Sequence, residues 1–181
     1  MNYLPENDKE LVKSNYMKLS NETNTFRILS KIIAGYEWWE DVTLEDGAQG
    51  RKPSRVKDDG AVPVEFAEEV KFFWAFVVWN FDLKKIQILE VKPKSIRDRM
   101  RTYINNPKWG DPTEYNFVVT KTGVGKETRY ETIAEPKEKF DKEIIEKYKS
   151  MNVNLEELFT GGDPFADSQS DEEINLDNIP F

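Results

Sequence analysis

The sequence predicts a mainly β domain: a five-stranded Greek-key barrel with a helix between its third and fourth strands, then a C-terminal helix and an acidic tail. Three observations point there. Runs rich in branched and aromatic residues recur at 25–34, 71–81, 84–91, 115–122 and 127–134, each with the length and make-up of a strand. One helical period interrupts them, placing Ile96, Met100, Tyr103 and Ile104 on one face. Gly, Pro and Asn clusters separate the runs. The expected division is an N-terminal arm over 1–20, the barrel over 21–136, a helix and linker over 137–160, and a tail over 161–181.

Each element has its own signal. Residues 1–20 show no convincing period and read as an arm. The first strand, 25–34, is expected to bend at Gly35 before Tyr36, Glu37, Trp38 and Trp39. Residues 40–70 carry Gly47, Gly50, Pro53, Gly60 and Pro63 and read as a long polar loop, the kind that is functional or disordered. Strands 71–81 and 84–91 are joined at Asp82-Leu83 and read as a hairpin. Pro93 suits a first helical turn, and Asn105-Asn106-Pro107 ends the helix. The last two strands meet at Gly123-Val124-Gly125-Lys126. Residues 137–150 form an amphipathic helix with Phe140, Ile144 and Tyr148 on one face. Three strands, a helix and two strands is the order of an OB-fold, which binds its ligands on the second and third strands and on two flanking loops.

Composition limits the chemistry. The 181 residues hold 26 Lys+Arg against 34 Asp+Glu, for a net charge of −8. Much of that acidity lies after Gly161, where Asp163, Asp167, Asp171, Glu172, Glu173 and Asp177 occur with no Lys or Arg. The body is close to neutral, which leaves room for a local basic groove. A charge run with few apolar residues is expected to be disordered. There is no Cys and no His, which excludes disulfides, thiol chemistry and Ser-His or Cys-His machinery. No metal or cofactor is expected. The N-terminus has no apolar core of a signal peptide, and the apolar run 72–79 is too short to span a bilayer. A cytoplasmic location is expected.

The hairpin faces divide by period two. With Trp79 opposite Ile86 and Val77 opposite Ile88, one face carries Phe73, Ala75, Val77, Trp79, Ile86 and Ile88, and is expected to be barrel interior. The other carries Phe72, Trp74, Phe76, Val78 and Asn80 opposite Lys85, Gln87 and Leu89. Large aromatics beside Lys and Gln suit a base-stacking platform; the alternative is that the C-terminal helix covers this second face. Arg51, Lys52, Arg55 and Lys57 fall within seven residues near Trp38 and Trp39, as phosphate contacts next to stacking rings would.

Enzymatic readings are weaker. Asp82, Glu90 and Lys92 imitate a metal-nuclease pattern, but a strand rising about 3.3 Å per residue sets the two acids too far apart for one ion. Gly123-Val124-Gly125-Lys126 lacks the first Gly of a P-loop and has Glu127 where a hydroxyl must stand. Asp58-Asp59 and Glu68-Glu69 suggest no partners. The chain is expected not to be an enzyme.

Several stretches resemble one family, the single-stranded-DNA-binding replication proteins of tailed phages. They are Thr25-Phe26-Arg27-Ile28-Leu29, Gly35-Tyr36-Glu37-Trp38-Trp39, Phe73-Trp74-Ala75-Phe76-Val77-Val78-Trp79-Asn80 and Asn106-Pro107-Lys108-Trp109-Gly110-Asp111-Pro112, with Thr120, Gly123, Gly125, Thr128 and Tyr130. The ending Asp177-Asn178-Ile179-Pro180-Phe181 is similar to the acidic tip of bacterial single-stranded-DNA-binding proteins, with Asn178 where those tips have an acid. The resemblance implies an OB-fold and sequence-tolerant binding of single-stranded DNA in replication, recombination or repair. It also implies that Asp177, Ile179, Pro180 and Phe181 hook replication or recombination proteins. The expected stacking residues are Tyr36, Trp38, Trp39, Trp74, Phe76 and Tyr130. The expected phosphate contacts are Arg27, Lys31, Arg51, Lys52, Arg55, Lys57, Lys85, Lys121, Lys126 and Arg129. The alternative is a protein-interaction module or replication adaptor on the same barrel, without tight DNA binding.

Overall fold

A computed structural model describes residues 14–167. Most of the expected arm, most of the acidic tail and the tip residues Asp177, Ile179, Pro180 and Phe181 lie outside the described residues.

The chain is mainly β. Among the described residues seven antiparallel strands form one sheet: β1 (Thr23–Ile28), β2 (Ile33–Thr43), β3 (Gln49–Lys57), β4 (Lys71–Asn80), β5 (Lys85–Val91), β6 (Asn116–Thr122) and β7 (Arg129–Ala134). Among the described residues three α-helices accompany them: α1 (Lys94–Ile104), α2 (Lys142–Met151) and α3 (Glu157–Thr160). β4 is the hub. One edge pairs with β5 from Trp74 to Asn80; the other pairs first with β2 (Gly35↔Phe73) and then with β1 (Arg27↔Trp79). β1 continues to β6, and β6 to β7.

Four expectations change. The first predicted strand is two strands, broken at residues 29–32 rather than at Gly35. There the Val77 amide donates to Ser30 Oγ (2.8 Å) and the Leu29 amide to Val77 O (2.8 Å), so a hydroxyl stands in for a ladder carbonyl. The predicted loop 40–70 is largely the β2–β3 hairpin. Its tip is Asp46-Gly47: Gly47 takes φ +82°, and Asp46 Oδ1 accepts from the Ala48 amide (2.9 Å). An Asp-Gly pair is a hairpin signal in its own right.

The sheet is also not a closed five-stranded barrel. Among the described residues β5 and β7 do not pair. The outer edge of β5 is occupied instead by the chain ahead of β1. Tyr16 bridges Ile88 in parallel, with Ile88 N–H donating to Asn15 O and Met17 N–H donating to Ile88 O, both 2.8 Å.

The main core fills one face of the sheet. Phe26, Ile28, Phe76, Val78, Leu89, Val91, Phe117 and Val119 meet Ile96 and Met100 of α1, all buried. Phe26 packs on Phe76 and on Phe117 at 6.0 Å between centroids. The 106–112 stretch plugs one side. Trp109 lies edge-on to Tyr103 (5.1 Å) and Tyr115 (5.5 Å), with Gly110 at φ +69° turning the chain.

The hairpin register is as the sequence predicts, Trp79↔Ile86 and Val77↔Ile88, but the faces are reversed. Phe76 and Val78, read as part of a platform, are in the main core. Val77, Ile86 and Ile88, read as interior, lie on the opposite face under α2 and Phe165, against Ile144, Tyr148 and Met151. Phe73 and Ala75 lie under Leu158, with Phe159 beside it. Period two says which residues share a face; only the covering elements decide which face is inside. The polar residues that suggested solvent form a buried chain instead. Asn80 Nδ2 donates to Gln87 Oε1 (2.9 Å), and Gln87 Nε2 donates to Ser14 O (2.8 Å).

Candidate nucleic-acid interface

Helix α1 is the basic element of the fold. Between residues 92 and 101 stand Lys92, Lys94, Arg97, Arg99 and Arg101 against one acid, Asp98. Ile96 and Met100 turn into the core, which sets the i, i+4 pair Arg97 and Arg101 on a neighbouring face. That face lies over the end of β4. The Arg97 guanidinium is 4.8 Å from the centre of the Phe72 ring, and that of Arg101 is 5.2 Å from Trp74. Phe72 and Trp74 are two apart on a strand and so share a face.

Phe72 continues the row into β2. It is paired with Tyr36 across the strands, the rings 5.2 Å apart and tilted. Two residues on, Trp38 stacks on Phe66 at 6.1 Å with planes 26° apart, and its indole N–H donates to Glu40 Oε1 (3.0 Å). Trp38 is buried, while Tyr36, Phe72 and Trp74 are half-buried, Trp74 with one side against the main core. Three accessible rings capped by two guanidiniums thus line one surface. Planar groups stack on such rings, and the cations face whatever anion accompanies them.

Beneath the row a charged network ties β2, β3 and β5 together. Glu37 is 2 % exposed; it accepts from Arg55 Nε (2.8 Å) and Lys92 Nζ (2.6 Å). Arg55 grips Glu90 with both terminal nitrogens at 2.8 Å and lies over Phe73. Burial pushes the Glu37 carboxyl up, but hydrogen bonds from Lys92 and Arg55 and their charges outweigh it, and its pKa falls below the ordinary value.

The predicted site residues divide. Phe76 is fully buried, so no base reaches it. Arg27 is 2 % exposed: Nε donates to Asn116 Oδ1 (2.6 Å), Nη1 to Thr113 O (3.1 Å) and Nη2 to Glu138 O (3.2 Å), with Phe140 beneath. It pins the chain after β7 to the sheet and has no donor turned to solvent phosphate. Arg55 is spent on Glu37 and Glu90, and Trp38 on Phe66 and Glu40. Lys85 Nζ donates to Ser14 O (3.0 Å), holding the leading segment. Lys57 is exposed but paired with Glu156 of the segment before α3. The reassignments of Arg27, Arg55, Lys57 and Lys85 share a cause: each found a partner in a distant part of the sequence.

The remaining candidates are accessible. Trp39 is 44 % exposed on the β2–β3 hairpin. Arg51 stands 3.6 Å from Asp41 in a loose surface pair, and Lys31, Lys52, Lys126 and Arg129 are exposed. Tyr130 and Lys121 are half-exposed. The sequence reading set Phe72 on the platform face beside Trp74 without naming it a stacking residue, and missed Arg97 and Arg101 altogether. Five cations within residues 92–101 were the available signal. A concavity of about 630 Å³ lies between β3 and α3, lined by Lys52, Ser54, Glu157 and Phe159 among others.

Among the described residues no cluster of three or more acids could hold a metal ion, and no helix is long and apolar enough to cross a membrane. Glu90 and Lys92 of the nuclease-like pattern are engaged with Arg55 and Glu37. No family model matches the chain, and no curated protein or solved structure matches it.

Proposed function

We propose that this protein binds single-stranded DNA without sequence preference and serves phage DNA replication, recombination or repair. The observation that carries the reading is the row Tyr36–Phe72–Trp74 with Arg97 and Arg101 stacked upon it. Bases have the same planar shape as a guanidinium and stack on the same ring faces, whatever their identity. The cations of α1 supply the phosphate contacts. Pairing in the order β5–β4–β1–β6–β7, with α1 between β5 and β6, supports an OB-fold opened along one seam. The accessible cations at the β6–β7 turn and on the β2–β3 hairpin then fall on the two flanking loops that OB-folds use.

Titration of labelled dT oligomers at two salt concentrations tests it. Binding that weakens as salt rises is expected. Arg97→Ala with Arg101→Ala should flatten the salt slope by about 0.7 per lost contact. No binding to dT at low salt overturns the reading.

A further inference from the structure

We propose that Asp98 is an internal restraint on this surface: it holds Lys94 and Arg101 in the free protein and yields them to backbone phosphates when a single strand binds. The inference rests on the function proposed above.

Asp98 is the one acid within residues 92–101, and it sits between the cations it neutralises. Its Oδ2 accepts from Lys94 Nζ at 2.8 Å, one turn before, and its Oδ1 from Arg101 Nη1 at 2.8 Å, one turn after. The hydrogen bond from Lys94 is the largest influence on its carboxyl, and with that from Arg101 it keeps the pKa below the ordinary value despite slight desolvation. Asp98 therefore carries its charge at neutral pH. Arg101 is the residue that lies over Trp74. One carboxylate thus fixes the guanidinium that caps the indole of the row.

The exchange is easily made. The Asp98 side chain is 44 % exposed, those of Lys94 and Arg101 are 79 % and 46 % exposed, and such surface pairs hold weakly. A phosphate offers Arg101 a bidentate, charge-assisted partner that a single carboxylate oxygen does not. As Arg101 turns to the phosphate it leaves the Trp74 ring open to the accompanying base. A free base or nucleoside has no phosphate to draw Arg101 away and gains little. The ligand class is a phosphodiester chain with unpaired bases, and Asp98 sets how strongly the surface takes it.

The test compares Asp98→Asn with Glu146→Gln. Glu146 is exposed on α2, outside this surface, so both variants remove one negative charge. Labelled dT oligomers are titrated at two salt concentrations, and the Arg101 Nε–H resonance is followed by NMR. Asp98→Asn is expected to tighten binding several-fold and to steepen the salt slope by about 0.7 for each cation released; Glu146→Gln should change little. On addition of dT to the wild-type protein the Arg101 resonance should lose the ring-current shift that Trp74 imposes. If Asp98→Asn binds no more tightly than Glu146→Gln, or if the Arg101 resonance is unmoved by dT, the restraint is refuted; salt-dependent binding by the wild-type protein would leave the proposed function standing. If neither the wild-type protein nor Asp98→Asn binds dT, both fall.

Discussion

Phe159 occupies the space that a side chain at residue 35 would need. A Cβ on Gly35 would come within 2.6 Å of Phe159 Cε1 and within 2.6 Å of Val56 O. Gly35 lies inside β2 opposite Phe73, and its value there is close approach, not bending. The seat anchors α3 to the sheet with Leu158, over Phe73 and Ala75.

Gly35→Ala is accordingly expected to destabilise the fold by about 1–3 kcal/mol, the usual cost of overpacking. Adding Phe159→Ala should recover only part of the loss, because the Val56 carbonyl stays in place. Urea denaturation of the three variants against wild type decides it; full recovery in the double variant would mean that the backbone contact is harmless.

Glu37 makes stability depend on acid. Its pKa is lowered from 4.5 in the fold, so its contribution is fully present above that value and is lost as pH falls through the lower folded value. Glu37→Gln should cost about 3 kcal/mol at neutral pH, toward the low end for breaking a buried pair, since Lys92 keeps water. It should also flatten the acid limb of the stability profile. An acid limb identical to wild type would place the titration elsewhere.

Tyr115 does the reverse at high pH. Burial, with a smaller push from Asp111, raises its pKa from 10.0 to about 12. The neutral phenol is the form the fold prefers, so stability is complete below 10.0 and declines as pH rises toward about 12. Tyr115→Phe should remove most of that alkaline loss, and thermal melts through this range would show it.

Binding and folding should separate by residue. Trp74→Ala is expected to weaken dT binding by about 1–3 kcal/mol, the value of one stacked base, while the chain stays folded. Arg27→Gln should cost about 1–3 kcal/mol of stability, from carbonyls left unpaired, with dT affinity of the folded protein unchanged. Loss of affinity in Arg27→Gln under conditions where it is fully folded would return Arg27 to the interface. Trp39→Ala asks how far the track extends: a loss equal to that of Trp74→Ala carries it onto the β2–β3 hairpin.

Strands β4, β5, β6 and β7, the β4–β5 register and the core face of α1 were legible because each depends on local period and on tight turns. Ile96 and Met100 are buried as their spacing requires. Orientation was not legible. Both faces of β4 are apolar because both are covered, and the covers, α1 on one side and α2 with α3 on the other, are remote in sequence. The β2–β3 hairpin was hidden by its polar composition, although Asp46-Gly47 announced the turn. Among the cations, spacing alone could not tell Arg27 and Arg55, which find buried partners, from Arg97 and Arg101, which lie on rings at the surface. What separates them is the geometry of chains far apart in sequence.

Most of the cover over Val77, Ile86 and Ile88, beyond Tyr16 and Leu29, is built from residues 144–165, long after β4 and β5 in order of synthesis. A ribosome making this chain therefore holds a finished β4–β5 hairpin with one apolar face bare while some fifty further residues are added. During that interval the nascent chain is at its most adhesive. A stop within or before α2 releases a product with intact strands and an open greasy face. Such fragments should be the ones that engage chaperones and proteases, so in the cell the late-made helices act as a completion mark for the strands that precede them.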